Sequence, residues 1–305
     1  MERSTREEYK TWKNGYYHMS LERLEGRRVF NSQEDYRMGM NSMALAKWKF
    51  AVEIYAFELM PNHLHCILSG TGRECVRLFS FIKRRFSDQL VKSGFPPLPD
   101  NYGFKLIPIE DEKAFLNELL YAARNPYEKD DCVPGGNPWG TGYLYFNGLA
   151  HHICGEKVGE LAKAKVSELI GSRENLPPDW EIHPTLGILP RCYVKTEKAI
   201  RLFSSAKSFL TRLVKEYETL VKTARTHDEQ LEFSAEEVQD IVDTELRNTY
   251  PGRLLKTLSQ EEKCVTAVRL NSKMGLTPKQ LAQALYISEL AISQAIRSKD
   301  YGRRI

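Results

Sequence analysis

The chain has 305 residues, 42% of them hydrophobic, which is enough for about two globular domains that each bury a core. Its formal net charge of +4 suits a polyanionic partner but does not indicate one. The six cysteines include no C-x-x-C pair, which argues against a zinc knuckle or a disulfide framework. The charged start of the chain and the lack of a long apolar run argue against secretion or a membrane span, so we expect a cytoplasmic protein.

The first part of the chain alternates predicted strands and helices. Period-two alternation predicts a strand, and apolar residues spaced three and four apart predict a helix. The predicted strands cover residues 16–21, 52–57, 63–69 and 104–109, and the predicted helices cover 31–49, 76–90 and 111–125. We therefore predict the fold class α+β, with a ferredoxin-like split β-α-β sheet whose helices cover one face. A run of Pro and Gly after residue 132 closes this domain, placed at residues 1–132.

Two histidines separated by one apolar residue, His63 and His65, follow Pro61-Asn62 at the start of a predicted strand. Side chains two apart on a strand share a face, so both imidazoles converge. They supply two ligands of a metal site, which still needs a third ligand and a reacting group. Two histidines in a strand can equally be hydrogen-bonded packing residues, so the pair by itself does not establish a site.

Tyr121 and Asn125 are four residues apart near the end of a predicted helix and therefore lie on one helix face. Pro126 stops the helix and places the asparagine at its end, where an amide oxygen can reach a metal. Tyr121 can also be a half-buried packing residue. Tyr127 is the rival nucleophile, but it follows the helix-stopping proline and cannot share this geometry.

The second half of the chain is mostly helical in pattern. Helices are predicted over residues 157–170, 196–222 and 235–248. We assign residues 133–232 to a linker and helical extension, and residues 233–305 to a helical domain. No internal repeat is evident in either part.

The last three predicted helices, at about 260–273, 278–285 and 289–298, have the spacing of a helix-turn-helix module. Capping boxes starting at Ser259 and Thr277 delimit the first two. Tyr286 stands where the tight turn usually carries glycine, and a left-handed conformation there costs about 1 to 2 kcal/mol. The outward positions of the last helix supply candidate DNA contacts, namely Ser293, Gln294 and Arg297.

The two motifs together, Pro-x-His-x-His-x-hydrophobic at 61–67 and Tyr-x-x-x-Asn-Pro at 121–126, resemble those of the His-hydrophobic-His (HUH) single-tyrosine transposases. These include insertion-sequence transposases and REP-associated tyrosine transposases, and the resemblance covers about the first 130 residues. It implies a ferredoxin-like nuclease fold, Tyr121 as catalytic nucleophile, and Mg²⁺ or Mn²⁺ held by His63, His65 and Asn125. It also implies single-stranded or hairpin DNA as substrate and a covalent 5′-phosphotyrosine intermediate.

The resemblance also bears on which residues contact DNA and on whether the chain forms a dimer. Lys83, Arg84 and Arg85 form a basic cluster that is a solvated helix face by default, while in the family this region helps to hold the DNA backbone. We add Arg124, beside the tyrosine, to the candidate DNA contacts. Members occur as dimers and as monomers, which leaves a homodimer open. A bacterial, nucleoid-associated protein without a membrane partner is expected.

Two other classes of protein use parts of these motifs. A non-catalytic DNA-binding regulator would use the helix-turn-helix while the nuclease domain is degenerate, and this alternative stays open. A histidine-triad hydrolase would need a third histidine where Ile67 stands. A barrel amidohydrolase would need repeated βα units, which the helical second half lacks.

Overall fold

The computed structural model describes residues 6–127, 135–146, 150 and 152–298. The chain forms two compact units, Met1–Val214 and Lys215–Ile305, each with its own hydrophobic core. This division follows Val214, whereas the three-part division at 132/133 and 232/233 stays a prediction. Within the described ranges, the helices are all too short or too polar to cross a membrane.

Four strands of the first unit form an antiparallel sheet in the order β2-β3-β1-β4. The strands are β1 (Gly15–Leu21), β2 (Glu53–Met60), β3 (His63–Gly70) and β4 (Phe104–Ile109). Strand β1 pairs with both β3 and β4, and β2 pairs with β3 across a two-residue turn. After a short first helix that was not predicted, the order of strands and helices up to residue 124 is the one predicted from the sequence. The fold is a mixed α/β structure with antiparallel sheets.

Helices cover both faces of this sheet, so the prediction of helices on one face was wrong. They are α1 (Arg6–Tyr9), α2 (Gln33–Lys49), α3 (Gly72–Lys92) and α4 (Glu112–Arg124). Helices α2, α3 and α4 begin at capping side chains, which are Ser32, Thr71 and Asp111. Helices α2 and α3 pack against the even-numbered residues of β3 (Leu64, Cys66 and Leu68) in the core. The odd-numbered residues project from the other face, where α4 contacts β2 and β3.

The rest of the first unit adds a small sheet and three helices. The strands are β5 (Glu156–Lys157), β6 (Glu181–His183) and β7 (Gly187–Ile188), and the helices are α5 (Lys163–Ile170), α6 (Thr196–Phe203) and α7 (Ala206–Lys215). The prediction of one helix over 157–170 was wrong at its start, which forms a strand and a 3₁₀ turn. The predicted helix over 196–222 is interrupted because Ser204 has a positive φ of 58°.

The second unit is helical. Its helices are α8 (Tyr217–Thr226), α9 (Ala235–Thr249), α10 (Gln260–Met274), α11 (Pro278–Leu285) and α12 (Glu289–Arg297). The capping boxes predicted at Ser259 and Thr277 are both present, with the side chain and the backbone of each cap bonded reciprocally. Tyr286 adopts the left-handed conformation considered from the sequence, with φ 53° and ψ 51°.

Candidate active site

His63 and His65 lie on β3, on the face of the sheet that α4 covers. The strand register pairs His65 with Glu58 of β2 on one side and Ser20 of β1 on the other. The intervening Leu64 belongs to the core on the opposite face. The period of the strand therefore brings the two imidazoles together.

The two imidazoles face each other through their Nε2 atoms, which lie 3.0 Å apart. The Nδ1 atom of His63 lies 2.7 Å from the amide oxygen of Asn62. An amide oxygen only accepts hydrogen bonds, so His63 donates from Nδ1 and carries its lone pair on Nε2. The lone pair of His63 is therefore directed at His65.

Two further residues, His18 of β1 and Glu118 of α4, extend this network behind His65. The Nε2 atom of His18 lies 3.0 Å from Nδ1 of His65, and its Nδ1 atom lies 2.6 Å from Oε2 of Glu118. The rings of His18 and His65 meet edge to face, with centroids 5.1 Å apart. Neither residue was predicted from the sequence, because no local pattern links positions 47 and 100 residues apart.

Tyr121 lies beside the histidines. Its ring meets that of His65 at 5.3 Å between centroids with planes at 78°, and the ring of His18 lies 6.0 Å away. Asn125 is the C-cap of α4, and its Nδ2 donates to the carbonyl of Tyr121 at 3.0 Å. The side-chain oxygen Oδ1 of Asn125 takes no part in this hydrogen bond. Helix α4 thus brings Tyr121 to the histidines and places Asn125 one turn further on.

The donor set of His63 and His65 fits a divalent metal ion. Imidazole nitrogen is a common metal ligand in proteins. Two ligands of an octahedral ion, each about 2.1 Å from it, lie about 3.0 Å apart when they are adjacent. The two Nε2 atoms show this separation, and a cation held between them would satisfy the lone pair that His63 directs at its neighbour.

Comparison with known proteins gives one distant similarity. No family model matches the chain, and no curated protein matches it. A solved structure of a REP-associated tyrosine transposase bound to a REP hairpin is similar over 48% of this chain and 85% of its own, with 18% identity and a TM-score of 0.38.

A buried carboxylate, Glu58, also lies next to His65 and was missed from the sequence. It accepts hydrogen bonds from the backbone N–H groups of Thr141 and Gly142 at 3.1 and 2.8 Å, and from the Asn137 amide at 2.8 Å. Burial raises the pKa of Glu58 to about 7, although these hydrogen bonds act in the opposite direction. A Cβ atom at Gly140 would lie 1.9 Å from its carboxylate, so only glycine fits there. Glu58 therefore anchors the segment 137–142 on the outer edge of β2.

The basic cluster of α3 is largely engaged inside the protein. Lys83 donates to the carbonyls of Asp100 and Tyr102. Arg85 donates to the hydroxyl of Ser42 and to the last carbonyls of α5, at residues 170 and 171, where a cation is favourable. Arg84 is the exposed member of the cluster. Because α3 packs on the face opposite the histidines, none of the three side chains lies on the face of the site.

The other candidate DNA contacts occupy contrasting places. Arg124 is buried and donates to the carbonyl of Leu213 at 3.0 Å, so this guanidinium acts as an internal donor. Ser293 is half-buried, whereas Gln294 and Arg297 are exposed on α12. The structure therefore leaves the candidates of α12, rather than Arg124, accessible within their own unit.

Proposed function

We propose that this chain is a metal-dependent single-strand DNA endonuclease and strand transferase of the HUH single-tyrosine kind, acting on hairpin DNA in the bacterial nucleoid. The observation that carries the proposal is the contact of the Tyr121 ring with His65, next to two Nε2 atoms 3.0 Å apart. The strand order β2-β3-β1-β4 supports the ferredoxin-like split sheet that such a nuclease would use.

In the proposed reaction, the oxygen of Tyr121 attacks the scissile phosphorus in line with the bond to the 3′ oxygen. The phenol gives up its proton to solvent as the bond from its oxygen to phosphorus forms. The phosphorus–O3′ bond breaks, the freed 3′ oxygen takes up a proton from solvent, and the 5′ phosphate stays joined to the tyrosine. Phenolate is a good leaving group because its ordinary pKa is about 10, so a 3′ hydroxyl can later reverse the step and reseal or transfer the strand. The phosphodiester bond energy is retained in the adduct, and no ATP is needed.

The residues that would hold Mg²⁺ or Mn²⁺ are His63 and His65, with Asn125 as the proposed third ligand. When bound, such an ion supplies charge neutralisation at the phosphate oxygens. The side chains of these residues and of Tyr121 are buried. Arg84 is the member of the α3 cluster that we retain as a backbone contact.

The test is formation of a covalent protein–DNA adduct. The full chain is mixed with Mn²⁺ and a pool of labelled single-stranded oligonucleotides, each with an imperfect hairpin and randomised flanks, and resolved in denaturing detergent. We expect an adduct that the chelator EDTA abolishes. Tyr121→Phe removes the nucleophile and should abolish the adduct, whereas the matched change Tyr127→Phe should leave it within about threefold of the wild-type level, because Tyr127 lies beyond the helix end.

An adduct formed by Tyr121→Phe at the wild-type rate would disprove the nucleophile assignment. Persistence of the adduct in EDTA would disprove the metal requirement. His63→Ala provides an independent check, since it removes one proposed ligand and leaves the tyrosine in place. A pool that yields no adduct under any of these conditions would count against the catalytic proposal as a whole.

A second function, duplex DNA binding by α10 to α12, is favoured by the left-handed Tyr286 turn between α11 and α12 and by the exposure of Gln294 and Arg297. This function would also serve a non-catalytic regulator. Arg297→Ala should weaken duplex binding. It should also reduce the slope of binding affinity against salt concentration by the amount expected for about one phosphate contact. Unchanged binding would remove Arg297 from the interface.

A further inference from the structure

Three side chains from three different elements form a line of hydrogen bonds that ends at the proposed metal site. Glu118 of α4 contacts His18 of β1, and His18 contacts His65 of β3. We call Glu118 and His18 the carboxylate–histidine relay. The relay meets His65 on the nitrogen that faces away from His63, so its effect on a metal would pass through His65.

The direction of these hydrogen bonds is fixed once Glu118 is taken as ionised and His18 as neutral. An ionised carboxylate only accepts hydrogen bonds, so His18 donates from Nδ1 to Glu118. A neutral imidazole with its proton on Nδ1 carries its lone pair on Nε2, and this lone pair accepts from Nδ1–H of His65. The lone pair of His65 then lies on Nε2, 3.0 Å from Nε2 of His63.

We propose that Glu118 and His18 are positioning residues that hold His65 in the tautomer and orientation needed to ligate a metal through Nε2. The inference rests on the metal site of the proposed function, but it requires neither Tyr121 nor DNA. Partners of this kind behind a ligating histidine typically change metal affinity 10- to 100-fold when they are removed. Two other roles compete with this one, namely His18 as a packing residue and His18 as a metal ligand itself.

The discriminating experiment is Mn²⁺ binding to the full chain without DNA, measured by isothermal titration calorimetry. His18→Phe keeps an aromatic ring of similar size but removes the acceptor, so it should weaken Mn²⁺ binding about 10- to 100-fold. His18→Gln keeps an acceptor oxygen toward His65 and an N–H toward Glu118, so it should stay within about threefold of wild type. His183→Phe, at a histidine outside the site, is the matched control and should leave the affinity unchanged.

The outcomes separate the three roles. A packing role predicts that the Phe variant binds normally, and that result would overturn the relay. A ligand role predicts that the Gln variant loses binding as severely as the Phe variant, which would also overturn it. Wild-type protein that binds no Mn²⁺ would overturn the metal site and the relay together. Normal Mn²⁺ binding without any DNA adduct would count against the proposed cleavage and leave the relay standing.

A spectroscopic measurement tests the tautomer directly. In metal-free protein labelled with ¹⁵N at its histidines, the imidazole nitrogen shifts of His65 should show a protonated Nδ1. The signature should be retained in His18→Gln and lost in His18→Phe, and Glu118→Ala should shift it in the same direction as the Phe variant. Glu112→Ala, at an exposed acid on the same helix, is the control. A protonated Nε2 on His65 in wild type would contradict the proposal, and tryptophan fluorescence verifies that each variant is folded.

Discussion

The polar side chains around the site in the first unit and those at the helix starts of the second unit differ in how far along the chain their hydrogen-bond partners lie. In the first unit, Glu118 meets His18 across 100 residues, and Glu58 meets the amide of Gly142 across 84. In the second unit, Ser259 and Thr277 accept hydrogen bonds from amides only three residues away. Local signals therefore determine where the helices of the second unit begin, whereas the polar groups near the site depend on the assembled sheet.

From this difference we expect the largest losses of stability when a buried polar side chain of the first unit, bonded to residues distant in the sequence, is removed. Glu58→Ala removes the acceptor of the Gly142 amide and of the Asn137 side chain, whereas the Thr141 amide keeps its hydrogen bond to the carbonyl of Phe57. A buried donor left unsatisfied costs about 1 to 3 kcal/mol. Relaxation and water entry recover part of this cost, so we expect the free energy of unfolding of the first unit to fall by about 2 to 4 kcal/mol. All four tryptophans lie in this unit, so their fluorescence in a urea titration measures it.

Glu53→Ala is the matched control for that experiment, because Glu53 lies on the same strand. Its carboxylate is half-exposed and pairs with Lys47 and Lys195 at 3.3 Å. Such surface pairs contribute about 0 to 1 kcal/mol, so this change should be small. Equal losses from Glu58→Ala and Glu53→Ala would contradict the anchoring role of Glu58.

A smaller loss of stability is expected when a helix-capping side chain of the second unit is removed. Ser259→Ala removes the hydroxyl that accepts from the Glu262 amide at the start of α10, and such a change costs about 1 kcal/mol. The same substitution at Ser272, exposed within α10, should be neutral or stabilise by a few tenths of a kcal/mol, because alanine favours helix. Circular dichroism during urea unfolding of the intact chain measures both, with tryptophan fluorescence as the reporter of the first unit. A loss at Ser272 as large as that at Ser259 would contradict the capping role.

The same contrast explains what could be predicted from the sequence. The capping boxes at Ser259 and Thr277 each span only four residues and can be recognised in the sequence. His63 and His65 share a strand face by period alone, so their proximity could be expected, and Tyr121 was linked to them only by the motif resemblance. His18 could not be joined to the site, because its contact with His65 depends on the pairing register of β1 and β3. Strands β5 to β7 are too short, at two or three residues, to show any periodicity.

The smallest change in stability is expected at Tyr286, where the local backbone conformation is unfavourable. Tyr286 holds φ at 53° with 76% of its surface exposed, so its ring contributes little packing to offset a left-handed backbone that costs about 1 to 2 kcal/mol. Glycine relieves that strain but loses more chain entropy on folding, so Tyr286→Gly should raise the free energy of unfolding of the second unit by about 0.5 to 1 kcal/mol. Tyr286→Ala removes the ring and keeps the strain, so it should give no such gain in the same circular dichroism titration. If alanine stabilised the unit as much as glycine, the ring rather than the backbone would be the unfavourable element, and the turn would then not be strained.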